Sequence, residues 1–289
     1  MAAGRQNPKF IMAMTPPKFP WHGYAGLALL IAAEIGILLE WWFFEIFMTP
    51  ICWTGLILFL DGINYRLSGN SLIMTRRREF LWMLPWSIAL WYFFEFFNLF
   101  IRNWHYVGLP ETLAIRYFGY FWSFATIWPG MYEIFELLKN LKIFARIRVK
   151  PLQVTRKLLV TSALSGLFCM LLPFFVSSQA ATYMAAPVWI GMVFFLDPLN
   201  YYWNRHSFWK DWSDGDLSVL IQLFLTGFLA GGLWEFWNYW ATAKWIYTVP
   251  IWGDLKIFEM PVLGYLGFPA FAVEVFVMWE AVKHLMKIK

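Results

Sequence analysis

The sequence predicts an all-α integral membrane protein, with eight transmembrane helices arranged as two parallel four-helix repeats. Three observations predict it. The 289 residues are 60% hydrophobic and only 14% charged, with a mean hydropathy of +0.53. A soluble domain carries ~25% charge, so too little polar surface is present to cover a water-exposed globule, and lipid must cover much of this one. The apolar residues gather into eight runs, and the rare polar residues within those runs recur in the same order in both halves of the chain.

The first element is a polar segment, residues 1–22, bearing Arg5, Lys9, Lys18 and four prolines. The apolar run after it continues too long for a signal peptide, so it is expected to remain as a true first helix. A hydrocarbon core of ~30 Å needs ~20 apolar helical residues. The runs that meet this need are 23–47, 49–65, 79–101, 113–138, 155–177, 183–203, 217–241 and 256–284, with Thr49-Pro50 as the expected break between the first two. Residues 23–138 and 155–285 then form the two repeats, and 139–154 is a basic linker. Residues 242–255 read as an ordered, aromatic outer loop.

Eight spans put both termini on one side. Of the 23 Lys and Arg, only Arg102, Arg116, Lys244 and Lys256 fall on the other. The positive-inside rule then predicts cytoplasmic termini in a cytoplasmic (inner) membrane. The basic residues therefore serve topology, and the net charge of +5 does not point to nucleic acid. Cys52 and Cys169 both lie in apolar runs, as packing residues do.

The repeat is carried by particular residues. Leu60-Asp61-Gly62-Ile63-Asn64-Tyr65 matches Leu196-Asp197-Pro198-Leu199-Asn200-Tyr201, and a serine follows each, Ser71 and Ser207. Glu95-Phe96-Phe97-Asn98 matches Glu235-Phe236-Trp237-Asn238. Trp104-His105-Tyr106 matches Trp245-Ile246-Tyr247, Pro110 matches Pro250, and Gly119-Tyr120 matches Gly264-Tyr265. Four helices per unit insert both copies the same way up, about a pseudo-two-fold axis along the membrane normal.

Asp61 and Asp197 are expected to end their spans, because Asp before Gly or Pro reads as the N-cap of a new short turn. Glu95 and Glu235 lie within about two turns of the outer ends of their helices, with Asn98 and Asn238 one turn further out. A carboxylate inside a membrane is costly. Each Glu–Asn pair is therefore either a buried interhelical node or the lining of a cavity. Glu34 and Glu45 are expected on one face of the first helix, Glu133 and Glu136 on one face of the fourth, and Glu274 and Glu280 on the eighth. So many acids without central Lys or Arg cannot all be salt-bridged. They are hydrogen-bonded, hydrated, or protonated. Among many π faces, protonated acids suit a substrate that becomes cationic.

His22, His105, His206 and His284 all sit at loops or span ends, so no axial haem pair is expected. No zinc, phosphate-loop or nucleophile-elbow motif occurs. No metal or cofactor is expected.

The residues Trp245-Ile246-Tyr247, Gly264-Tyr265-Leu266-Gly267-Phe268-Pro269 and Glu274 resemble the membrane-embedded lycopene cyclase-like family. Trp104, Tyr106, Gly119, Pro129 and Glu133 follow the same order in the first half. That family's paired acids after proline are replaced here by Pro269 followed by four residues before Glu274. The resemblance implies acid-catalysed, non-redox cyclisation of an isoprenoid.

The sequence reading is thus a polytopic membrane protein that binds or modifies a hydrophobic lipid or isoprenoid, with enzymatic activity left open. Its candidate catalytic residues are Glu95, Glu235, Glu34 and Glu274. Asn98, Asn238, Trp237, Trp245 and Tyr247 are the candidate binding residues. Expected partners are membrane lipids and a hydrophobic small molecule, with partner membrane proteins left open. A non-catalytic subunit of a larger membrane complex and a small-solute transporter are the alternatives.

Overall fold

The computed structural model describes residues 16–288. Arg5, Lys9 and Lys289, which bear on the expected topology, lie outside the described residues. In chain order the elements are α1 (Trp21–Leu38), α2 (Trp42–Ser68), α3 (Arg77–Ile101), β1 (Trp104–Val107), α4 (Leu113–Asn140), α5 (Arg156–Leu171), α6 (Ser178–Ala181), α7 (Ala185–Tyr202), α8 (Phe208–Ser213), α9 (Ser218–Trp240), β2 (Lys244–Tyr247), β3 (Lys256–Ile257), β4 (Met260–Pro261) and α10 (Gly267–Leu285). The chain is thus a mostly helical membrane protein. Among the described residues, six segments are long and apolar enough to cross a bilayer: α1, α2, α3, α9, Arg156–Phe174 and Val262–Leu285. The helices α4 and α7 occupy the other two expected positions and pack among these six, α4 on α2, α3 and α9, and α7 on α5 and α10. Large apolar side chains such as Trp21, Leu38 and Phe175 face outward, fully consistent with a lipid surround.

The pairs α1–α2 and α5–α7 cross in the same way. A Cβ on Gly26 would stand 2.5 Å from the Gly55 carbonyl oxygen, and one on Gly166 would stand 2.5 Å from that of Gly191. Only hydrogen fits at these crossings, which lets the backbones approach closely and gain van der Waals contact where no hydrophobic force operates between helices.

Three boundaries differ from expectation. The first two helices part at Leu39–Trp41 and not at Thr49-Pro50. Glu40 takes a left-handed conformation (φ 53°) and Trp41 N–H reaches back to the Gly36 carbonyl, which closes α1 in a Schellman-type turn. Pro50 lies inside α2, and its missing N–H and bulky ring are absorbed by a kink one turn earlier, at Phe47. Glu34 and Glu45 consequently sit on different helices and share no face. The eighth helix starts at Gly267, not near residue 256. Residues 256–261 form the β3–β4 hairpin, and a 3₁₀ turn over Val262–Leu266 leads into α10.

The third correction concerns Asp61 and Asp197. Neither ends its helix: α2 runs on to Ser68 and α7 to Tyr202, with Pro198 inside. Both carboxylates are buried and hold the following loop. Asp61 accepts from Ser71 Oγ (3.0 Å) and Ile73 N–H (2.7 Å), and faces His22 Nε2 at 2.8 Å. Asp197 accepts from Ser207 Oγ (2.9 Å) and from the Phe208 and Trp209 N–H groups (both 3.0 Å), which are the first donors of α8. The carboxylate therefore caps a helix, but from ten residues away and not from the cap position. Asn64 and Asn200 extend each node. Asn64 Nδ2 donates to the Glu133 carboxylate (2.8 Å) and carbonyl, and Asn200 Nδ2 donates to the Val277 carbonyl (2.9 Å).

The basic linker is docked onto the turn before α9. Val149 N–H bonds to Gly215 O, Leu217 N–H to Ile147 O, and Gln222 Nε2 to Ile143 O. Cys52 is buried and Cys169 half-buried, and both are free thiols.

Replacing Asp197 by Ala strands three donors beneath α7. Asp197→Ala is expected to cost about 3 kcal/mol or more, read as a lowered Tm for the detergent-solubilised protein, while Ser213→Ala, on an exposed hydroxyl, leaves Tm unchanged.

Candidate functional site

At the opposite end from the Asp nodes, the chain leaves α3 and α9 through two short strands that pair with each other. Trp104 lies opposite Tyr247, His105 opposite Ile246, Tyr106 opposite Trp245 and Val107 opposite Lys244, in antiparallel register. Because Trp104 corresponds in sequence to Trp245, and Tyr106 to Tyr247, each strand meets its own counterpart in a self-complementary contact. Asn98 and Asn238 anchor the two strands. Asn98 Nδ2 donates to the Trp104 carbonyl (2.8 Å) and its Oδ1 accepts from Asn103 N–H (2.9 Å). Asn238 Nδ2 donates to the Trp245 carbonyl (2.8 Å) and its Oδ1 accepts from Trp245 N–H (3.0 Å). These amides serve the ribbon and do not bond the neighbouring glutamates. Gly108, just past β1, has φ 63° and passes so close to the Thr242 carbonyl that a Cβ would stand 2.1 Å from its oxygen.

The ribbon brings tyrosine hydroxyls onto the two glutamates. Oε1 of Glu95 accepts from Tyr106 OH (2.6 Å), Trp104 Nε1 (3.0 Å) and Trp91 Nε1 (3.0 Å). Three donors on one oxygen solvate a carboxylate without a cation. Glu235 is fully buried; its Oε1 accepts from Tyr247 OH (3.1 Å), and its Oε2 has no hydrogen-bond partner. The equivalent acids thus have unequal surroundings. In the ribbon, burial above all, and then the adjacent Glu95 and Glu235, push the Tyr106 and Tyr247 phenols well above the ordinary tyrosine value. Both hydroxyls remain protonated donors.

Beneath the ribbon lies a cavity of about 140 Å³, comparable with the ~150 Å³ apolar cavity that holds one benzene ring. Six tryptophans line it: Trp53, Trp91, Trp104, Trp189, Trp234 and Trp245. They come from both halves of the chain, and Trp234 stands 5.4 Å from Trp53 and 6.1 Å from Trp91, centroid to centroid. Tyr106 and Tyr247 face the cavity, whereas Glu95 and Glu235 are not among its lining residues. Four polar groups in the wall, Thr49 Oγ1, Trp53 Nε1, Trp189 Nε1 and Trp245 Nε1, are buried without a hydrogen-bond partner. Among the described residues, the charged ones in the wall are Arg116 and Lys244.

The remaining sequence candidates do not converge on this cavity. Glu34 accepts from Trp237 Nε1 at 3.3 Å, an α1–α9 contact behind Trp53. Glu274 is fully buried in α10 with neither oxygen hydrogen-bonded. Trp245 and Tyr247 do line the cavity. Sequence reasoning missed Thr49, Trp53 and Trp189, which carry no motif and meet only through helix packing. It also passed over Arg116 and Lys244. Their signal was present, since they are half of the few basic residues expected on the outer side. Among the described residues no cluster of His, Cys, Asp or Glu is placed to hold a metal ion.

The chain matches no protein-family model, no curated protein and no solved structure to which it was compared.

Because both phenols titrate above the ~10 of free tyrosine, the folded protein keeps protons that the unfolded chain releases. Stability from this source is full below pH ~10 and is lost as pH rises above it. The Tm is expected to be level between about pH 7 and 9 and to fall above about pH 10, with a shallower fall in the Tyr106→Phe/Tyr247→Phe double variant.

Proposed function

We propose that this protein crosses a cytoplasmic (inner) membrane eight times, with both termini cytoplasmic, and binds a hydrophobic lipid or isoprenoid with one end of its chain in the tryptophan-lined cavity. The cavity carries the reading. It is apolar and bounded by rigid aromatic surfaces, and its four unpartnered polar groups suit a mainly hydrocarbon ligand bearing a hydrogen-bond acceptor. Eight crossings as two parallel repeats, 23–138 and 155–285 joined by 139–154, are supported by paired contacts. These are the glycine crossings of α1–α2 and α5–α7, the Asp–Ser nodes, the asparagine anchors and the self-complementary ribbon.

Acid-catalysed cyclisation is the chemical step that the resemblance implies. In this reading the Tyr247 hydroxyl, which bonds Glu235 and borders the cavity, turns to give its proton to the ligand and takes one from a protonated Glu235, and the proton lost by the cyclised cation restores the acid. Glu95, with three donors on one oxygen, suits the role of a fixed negative charge that favours a cationic intermediate. Glu274 and Glu34 lie off the cavity and act through packing.

Mild detergent extraction followed by mass spectrometry is expected to recover a bound lipid or isoprenoid, and Trp234→Ala to lose it. A copurifying protein subunit with no bound small molecule would shift the reading to a non-catalytic subunit. For topology, cysteines placed by Ser178→Cys and Arg148→Cys are expected to label from opposite sides of the membrane. Labelling from one side would refute eight crossings.

A further inference from the structure

The cavity wall contains two cations and no acid. Lys244 is already neutralised, its Nζ lying 2.6 Å from the Glu259 carboxylate. Arg116 has no such partner. Its Nε donates to the Pro110 carbonyl (2.9 Å), which fixes the guanidinium plane, and among the described residues it forms no ion pair. It also sits in the first turn of α4, a 28-residue helix with no acidic residue in that turn. A helix N-terminus bears a partial positive charge and disfavours a cation. Arg116 therefore stands, half-buried, where its charge is opposed by the helix and, among the described residues, has no ion-pair partner.

The residue before it bears on access. Ile115 lines the cavity and also a shallow apolar groove on the outer surface, formed with Trp42, Phe43, Phe47, Ala114 and Phe118. Phe47, at the kink of α2, is the other residue shared by groove and cavity. Phe47 and Ile115 thus stand between the groove on the lipid-facing surface of α2 and α4 and the cavity, and Arg116 follows Ile115 in the cavity wall.

We infer that the ligand is a single-chain amphiphile with an anionic headgroup, its chain reaching the tryptophans between α2 and α4 and its carboxylate or phosphate resting on Arg116. A guanidinium presents paired N–H donors that match either oxyanion, and an anion there also favours the α4 N-terminus. The inference rests on the cavity-binding reading above and adds the charge of the headgroup.

Three bromine-tipped probes separate the two ideas: 12-bromododecanoate, 12-bromododecanol and 12-bromododecyltrimethylammonium. Each is titrated into detergent-solubilised protein at pH 8 while saturable quenching of tryptophan fluorescence is followed, with acetate as the free-anion control. The carboxylate is expected to bind about tenfold more tightly than the alcohol, as a charge-assisted hydrogen bond allows, and acetate is expected not to compete. Arg116→Gln should bring carboxylate and alcohol within about twofold of each other without weakening the alcohol, and Arg116→Lys should keep most of the preference. An alcohol or ammonium probe binding as tightly as the carboxylate overturns the headgroup assignment, as does a preference that survives Arg116→Gln. If that variant fails to fold, the wild-type probe series and Arg116→Lys decide alone. Saturable quenching by none of the three probes would overturn the cavity-binding reading itself.

Discussion

The pairing of β1 with β2 is the contact on which the site depends. Eight residues pair in antiparallel register between segments some 140 positions apart, and the site at that end of the bundle is built on them. Each strand is held at its root by an asparagine from the helix it follows. Each delivers a tyrosine hydroxyl to a glutamate of that helix. The ribbon roofs the cavity, so the strands satisfy their own polar backbone while presenting aromatic faces downward. Further bonds brace the same end: Thr248 N–H to Asn103 O, Thr242 N–H to Glu45 O, and Asn103 Nδ2 to Thr182 O.

The acids share one physical problem and reach different solutions. Without central Lys or Arg, each must find donors or remain uncharged in a medium that penalises ions. Asp61 and Asp197 each collect donors from the loop that follows their helix. Glu95 collects two indoles and a phenol, Glu133 an asparagine amide, and Glu136 pairs with Arg76. Glu274 has no donor and Glu235 a single one. The side chains that satisfy Glu95 form the cavity wall, so the cavity meets oriented hydroxyl and indole groups and not an exposed carboxylate. Facing those dipoles, the formal charge in the wall is positive.

Much of the helical layout was legible in the sequence because it follows from local rules. Apolar runs of sufficient length located the long helices, and the recurrence of Asp, Ser, Glu and Asn pointed to residues that make like contacts in each half. The boundaries were less legible. Pro50 and Pro198 read as breaks, yet a buried helix tolerates proline when neighbouring groups take over the lost hydrogen bond and a kink absorbs the ring. Glu40, where α1 does end, carries no turn signal, since glutamate seldom adopts a positive φ.

By itself, the sequence determined a membrane-embedded helical chain, the polar residues buried within it, and the likeness between its halves, because hydrophobic length and the cost of burying charge are properties of the residues alone. Only the tertiary structure decided what those residues do. It turned Asp61 and Asp197 from helix ends into loop anchors, and made Asn98 and Asn238 ribbon anchors instead of partners to Glu95 and Glu235. It also gathered six tryptophans from distant helices around one cavity with Arg116 at its side. A cavity is the space left between elements. Its position is set by how α2, α3, α4, α9 and α10 pack, and no spacing within one helix encodes that.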